Sequence, residues 1–245
     1  MSPSPGQRID VVIPVYNEGE NILRLLAAFE REVNREIRIL ICFDHDEDTT
    51  LAALQRRQSR FEIVPVRNEG RLAHGAVLTG FRHSQAPAVI SYMADDDYNA
   101  GLLDRMIDLF RQGHDVVCPS RFIRGGSMVG CRWQKAVLVR AVSFTLRHLA
   151  RLPVHDATNA FRLFSRRLLD TTRIESTEGF TYSLELLVKC QRLGWPVAEI
   201  PATWFERPGG GSRFKIFEWA SAYLRWYFYA YETTYLSRSG NAPRT

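Results

Sequence analysis

The chain has only four cysteines, Cys42, Cys118, Cys131 and Cys190, in 245 residues. They are scattered, with no CxxC pair and no Cys/His spacing, which argues against zinc. Cys42 and Cys118 sit inside apolar runs, where a free thiol packs as a small hydrophobe. A reduced, cytoplasmic compartment is expected. The N-terminus lacks a basic start followed by an apolar core, so no signal peptide is expected. No run of about 18 uncharged apolar residues occurs, so no membrane-crossing helix is expected. A dense Lys/Arg run is also missing, which argues against nucleic acid as a partner. What remains is an ordinary globular composition, 45% hydrophobic and 24% charged. The net charge of +5 suits a phosphorylated substrate or an anionic membrane surface.

Short apolar runs alternate with helical periodicity along the first 120 residues. Ile9–Val15, Ile37–Phe43, Phe61–Val66, Pro87–Met93 and Asp115–Ser120 read as buried strands. Helices are expected over about 20–34, 50–59, 72–84 and 101–112, the first from Ile22, Leu25, Leu26, Phe29 and Val33 at helical spacing. Such alternation implies βαβ units: an α/β fold with a Rossmann-like, mostly parallel sheet flanked by helices. Ligands then bind at the carboxyl ends of the strands. The polar clusters "YNEGEN", "DHDEDTT" and "ADDDYN" each follow a strand and share that edge. Beyond residue 120 come a Gly-rich loop, a basic amphipathic helix over about 133–151, and a strand-like 157–165. A helix over 178–193, a strand-like 195–206 and a terminal aromatic helix complete the chain.

Asp95 and Asp97 are two apart at a strand end, and paired carboxylates suit Mg²⁺ or Mn²⁺ beneath a diphosphate. The alternative is a helix start, where Asp caps the first turn. In "FDHDEDTT", Asp48 reads as a helix cap. Asp46 and Asp48 also fit D-x-D-x-T, the nucleophile and acid of a dehalogenase-like phosphatase. In "PVYNEGENI", Tyr16 could stack on a base and Glu18 bond a ribose or base edge; a plain turn is the alternative. Cations near the edge fall in three groups: Arg121; Arg140 with Ser143 on one helix face; and Arg207, Ser212, Arg213 and Lys215 around three glycines. The last group reads as a mobile lid over an anionic ligand.

Together these segments resemble family 2 inverting glycosyltransferases of the GT-A fold, in the branch of dolichol- and polyprenyl-phosphate mannosyltransferases. "VVIPVYNEGENI" is similar to the family's opening strand and turn. "ICFDHDEDTT" stands where the family has V-D-D-G-S-T-D-G-T, and "YMADDDYNAGLL" where it has M-D-A-D-L-Q-H-P-P-E-L-I. "PSRFIRGG", "HDATNAFRLFSRRLLD" and "EIPATWFERPGGGSRFK" resemble three later family motifs in the same order. The resemblance implies a nucleotide-diphospho-sugar transferase. Pro14, Tyr16, Glu18 and Asp44 would hold the nucleoside of a GDP- or UDP-sugar. Asp95 and Asp97 would hold the metal, Arg207, Ser212 and Arg213 would close on the donor, and Arg121, Arg140 and Ser143 would bind the acceptor phosphate. The chain departs from the pattern at Met93, where the family has its first Asp, and at Asp96 and Asp97, where it has Leu and Gln. Phe43 and His45 likewise replace an Asp and a Gly.

The expected reaction is transfer with inversion to a polyprenyl phosphate, or to a saccharide or other hydroxyl. A hydroxyl needs a base, for which Asp96 and Asp156 are the candidates. A silent sugar-nucleotide-binding protein is the non-enzymatic rival. The domain plan is a disordered 1–8, a catalytic domain 9–213 with nucleotide (9–120) and acceptor (121–213) halves, a helix 214–237 and a tail 238–245. The terminal helix would pack on the core or on a partner subunit in a homo-oligomer. Alternatively it would lie on a membrane as a peripheral contact.

Overall fold

The computed structural model describes residues 8–206 and 216–235. Within them the chain runs β1 (Ile9–Val15), α1 (Gly19–Glu32), β2 (Ile37–Phe43), α2 (Thr49–Leu54), β3 (Glu62–Arg67), α3 (Leu72–His83), β4 (Ala88–Ser91), α4 (Leu102–Arg111) and β5 (Val116–Ser120). It continues through β6 (Ser127–Val129), α5 (Trp133–His148), β7 (Arg162–Ser165), α6 (Arg166–Thr171), α7 (Thr181–Arg192), β8 (Val197–Pro201), β9 (Thr203–Phe205) and α8 (Ile216–Tyr235). Arg207, Ser212 and Arg213 with their loop, nearly all of the N-terminal segment and the 238–245 tail lie outside the described residues.

Seven strands form one sheet in the order β3-β2-β1-β4-β7-β5-β8. Only β7 runs antiparallel to its neighbours. The alternation of side chains along each strand divides the core between the two faces. Val11 and Ile13 of β1 pack with Leu25 and Phe29 of α1 and Met106 and Ile107 of α4. Val12, between them, packs on the other face with Val77 and Phe81 of α3 and Leu187 of α7. The one charge inside β1, Asp10, lies opposite Arg38 of β2 in register and accepts two bonds from it, at 2.9 and 2.6 Å. α8 covers the second face, burying Trp226 and Ala230, so the core-packing reading holds for these two residues.

Some elements differ from expectation. α2 ends at Leu54, because the following Gln55-Arg56-Arg57-Gln58 offers nothing apolar to bury. β7 starts only at Arg162, because Asp156 folds the preceding segment into a turn, accepting from Thr158 N. The Gly-rich loop contains β6, which pairs with β9 in a small second sheet.

The chain leaves β1 for β2 and β3 on one side, then returns to place β4 on β1's other side. That reversal opens a crevice between the carboxyl ends of β1 and β4, the position where open α/β sheets bind ligands.

Candidate active site

Both walls of this crevice begin in strand-to-helix loops. Asn17 follows β1 in the left-handed region, at φ 56. Its backbone N–H donates to both oxygens of Asp48, at 3.1 and 3.0 Å. Asp48 also caps α2 by accepting from Thr50 N, and Thr50 Oγ1 accepts from Glu18 N at 3.0 Å. These bonds lock the loop after β1 to the loop after β2. Tyr16 is exposed above them with its ring edge-on to His45, centroids 5.5 Å apart. Glu18 is buried and accepts from Asn21 Nδ2. Asp44, at the end of β2, accepts from Asn68 Nδ2 at 2.5 Å. Pro14, Tyr16, Glu18 and Asp44 thus gather at one edge. The phosphatase geometry does not form. Asp46 is exposed and paired with Arg67, while Asp48 is buried as a cap.

The acidic turn follows β4. Tyr92 is fully buried, and its hydroxyl donates to the Asp96 carbonyl at 2.7 Å, pinning the turn. Asp95 and Asp97 are half-buried, and Arg24 stands 3.9 Å from Asp97. Asp96 is half-buried as well. Its Oδ1 accepts from Asn99 N at 3.2 Å, and both oxygens accept from Asn99 Nδ2 at 2.7 and 2.8 Å. Burial, reinforced by the charges of Asp95 and Asp97, pushes its pKa up to about 7 against the Asn99 bonds. Asp96, one of the two candidate bases, thus has both oxygens hydrogen-bonded in holding the turn. The helix-start alternative also fails, since α4 begins at Leu102 behind Gly101 with no side-chain cap. Among the described residues no group of three or more His, Cys, Asp or Glu side chains gathers as a metal cage. A carboxylate pair fits a hard cation that completes its shell with diphosphate oxygens and water.

A second cluster starts at the end of β5. The Arg121 guanidinium meets Asp156 through Nε at 2.6 Å and Nη2 at 2.8 Å, and also donates to Thr158 Oγ1 at 2.6 Å. Asp156 is fully buried. Burial alone would raise its pKa, but the charge and hydrogen bonds of Arg121 outweigh it and hold the carboxyl below the usual range. Asp156, the other candidate base, is the ion-pair partner of Arg121. Two cations lie over the ring of Phe122, Arg121 Cζ at 5.2 Å and Arg140 Cζ at 4.9 Å from its centroid. Arg140 is exposed. Ser143 is not on Arg140's face: it turns inward, and its buried hydroxyl meets no hydrogen-bond partner among the described residues.

Three residues beyond those expected organise the site. Asn99 joins the acidic turn to β9: its Nδ2 donates to Thr203 O at 2.7 Å and its Oδ1 accepts from Thr203 N at 3.2 Å. Asn68 positions Asp44, and buried Arg162 donates to the Asp156 carbonyl at 3.1 Å. Only the Asn three positions after Asp96 left a trace in the sequence, as a local side-chain turn spacing.

A family model described as "Glycosyl transferase family 2" matches residues 10–173. A polyprenol monophosphomannose synthase of Mycolicibacterium smegmatis is 27% identical over 235 residues, 88% of each chain. A dolichyl-phosphate hexose transferase of Haloferax volcanii is 31% identical over 202 residues, 81% of this chain and 83% of that protein. Among solved structures, glucosyl-3-phosphoglycerate synthase from Mycobacterium tuberculosis with Mn²⁺, UDP and glucosyl-3-phosphoglycerate aligns at a TM-score of 0.63 and 17% identity, over 97% of this chain and 81% of that one. The likeness to that enzyme is one of fold.

Proposed function

The chain belongs to glycosyltransferase family 2, and from this premise we propose that it moves a sugar, with inversion, from a nucleoside-diphosphate sugar to a polyprenyl phosphate. The observation that carries the choice of acceptor is the state of the two candidate bases. Asp96 is bound by Asn99 and Asp156 by Arg121. A hydroxyl acceptor would need one of them free to take a proton. A phosphate oxygen is already ionised and needs neither. The relatives from M. smegmatis and H. volcanii, named for polyprenol and dolichyl-phosphate chemistry, support the same acceptor class.

In this reading Tyr16, Glu18 and Asp44 receive the nucleoside, with Pro14 setting the direction of the loop. Asp95 and Asp97 would hold Mg²⁺ or Mn²⁺, which when bound supplies charge to offset that developing on the leaving diphosphate. The Mn²⁺ in the solved relative favours the same class of ion. Arg207, Ser212 and Arg213 are assigned to the donor phosphates. Arg140, over the ring of Phe122, presents its guanidinium to the acceptor phosphate, and Arg121 also lies over that ring. The reaction is placed at the cytoplasmic face of the membrane, where a lipid phosphate and a sugar nucleotide meet.

A thermal-shift panel of GDP, UDP and their sugars with Mg²⁺ or Mn²⁺ identifies the donor. Transfer of labelled sugar from that donor into an organic-extractable polyprenyl phosphate then tests the reaction. Label appearing only on a soluble saccharide, or tight nucleotide binding with no transfer, would refute the proposal.

A further inference from the structure

Tyr98 and Phe205 stack on each other at the edge of the acidic turn, with ring centroids 4.0 Å apart and planes 31° from parallel. Tyr98 directly follows Asp97, and Phe205 ends β9, two residues after Thr203. The bonds between Asn99 and Thr203 therefore fix both backbones from which the rings project. The stack is held in place before any ligand arrives.

The stack is also open to water. Phe205 covers one face of Tyr98, yet Tyr98 is 62% exposed and Phe205 36%. A ring with one face on a neighbour and this much surface in water has its other face uncovered. Trp204 makes the contrast. Alternation along β9 turns it to the opposite side, where Lys135 Nζ sits over its ring at 4.3 Å. Among the described residues no second ring and no cation lies over Tyr98. An aromatic pair left in water realises little of the gain that burying its area would bring.

The surroundings of Tyr98 select the occupant. They are polar: Asp97 and Asn99 flank it in the chain, and Arg24 stands 3.9 Å from Asp97. An isoprenoid chain gains nothing from polar groups at its edge. A nucleobase is assigned to Tyr16 and Asp44. A hexose suits both features, with C–H bonds on one face and hydroxyls around its rim.

We propose that the open face of Tyr98, backed by Phe205, is a platform for the hexose of the sugar nucleotide. The C–H bonds of one sugar face carry partial positive charge and meet the negative face of the ring, while the hydroxyls reach polar neighbours. The platform rests on the donor reading above, in which the sugar is joined to the phosphate assigned to Asp95 and Asp97, one residue before the ring. Phe205 acts through Tyr98 and is a positioning residue.

The test is calorimetric titration of the full chain, with Mn²⁺ and without acceptor, using GDP against GDP-mannose and UDP against UDP-glucose. In whichever pair binds, Tyr98→Ala should weaken the sugar nucleotide about tenfold and leave the nucleoside diphosphate unchanged. Phe205→Ala should do the same to a smaller extent. Tyr98→Phe should keep wild-type affinity for both, because the ring and not its hydroxyl makes the contact. Equal loss for diphosphate and sugar nucleotide, or loss for neither, would overturn the platform. So would an effect confined to KM for the polyprenyl phosphate, which would give the rings to the isoprenoid chain. Binding of neither pair by the wild-type chain would overturn the donor reading and the platform with it. A selective loss in Tyr98→Ala without transfer to any polyprenyl phosphate would overturn the acceptor reading and leave the platform in place.

Discussion

Asn99 closes on Asp96 with three hydrogen bonds, and the same side chain grips both backbone groups of Thr203. One amide therefore couples the acidic turn to the strand that leads toward Arg207. Asn99→Ala should leave the half-buried Asp96 carboxylate without its side-chain donor and cost about 1–3 kcal/mol. It should also weaken Mn²⁺ binding, because the turn bearing Asp95 and Asp97 loses its tie. Melting temperature and a Mn²⁺ titration measure the two effects; an unchanged pair would contradict the coupling.

Asp96 also predicts a pH dependence. Its folded pKa of about 7 lies above the unfolded value of about 4. Between those pH values the native state holds a proton that the unfolded chain has released. Stability should therefore fall as pH rises from about 4 to about 7 in chelator-treated protein. Asp96→Asn should flatten that slope. Mn²⁺ should flatten it too, since a nearby cation favours the ionised form. Urea midpoints across this range, with EDTA and with Mn²⁺, provide the measurement.

Asp95→Ala and Asp97→Ala should each lower metal-dependent transfer by roughly 100-fold or more, through loss of charge stabilisation at the diphosphate. Both side chains are half-buried at the mouth of the crevice, so the fold should survive. Full activity in both variants would sink the metal assignment.

The two arginines that lie over Phe122 should separate cleanly. Asp156→Ala strands the buried Arg121 guanidinium and should cost about 3–5 kcal/mol. Because the folded pKa of Asp156 is depressed, its contribution is present above pH about 4 and is lost as pH falls below that. Arg140→Ala removes an exposed side chain and should leave the melting temperature alone. It should instead raise KM for the polyprenyl phosphate about tenfold, with little change in kcat.

Most of the sheet was legible because strands buried on both faces read as unbroken apolar runs. Ile9–Val15 and Ile37–Phe43 match their expected bounds to the residue. What stayed hidden was partnership across the chain. Asp156 reads as a spare carboxylate until Arg121, 35 positions earlier, is seen on it. Asn99 reads as a turn residue until Thr203, 104 positions later, is found at both ends of its amide. Local periodicity carries no record of such pairs. Nor did it reveal that β7 reverses direction, because an antiparallel strand buried on both faces has the same apolar pattern as a parallel one.

The place of β7 has one more consequence. β5 forms no ladder with β4; both of its ladder partners, β7 and β8, come later in the chain. On the ribosome, β1 to β4 can assemble as they emerge, but β5 must wait as an apolar strand with two open edges until Arg162–Ser165 and Val197–Pro201 have been made. A fragment ending near residue 120 should therefore aggregate rather than bind nucleotide on its own. The segments before and after residue 120 carry separate side-chain clusters, yet the sheet makes them one unit of synthesis and folding.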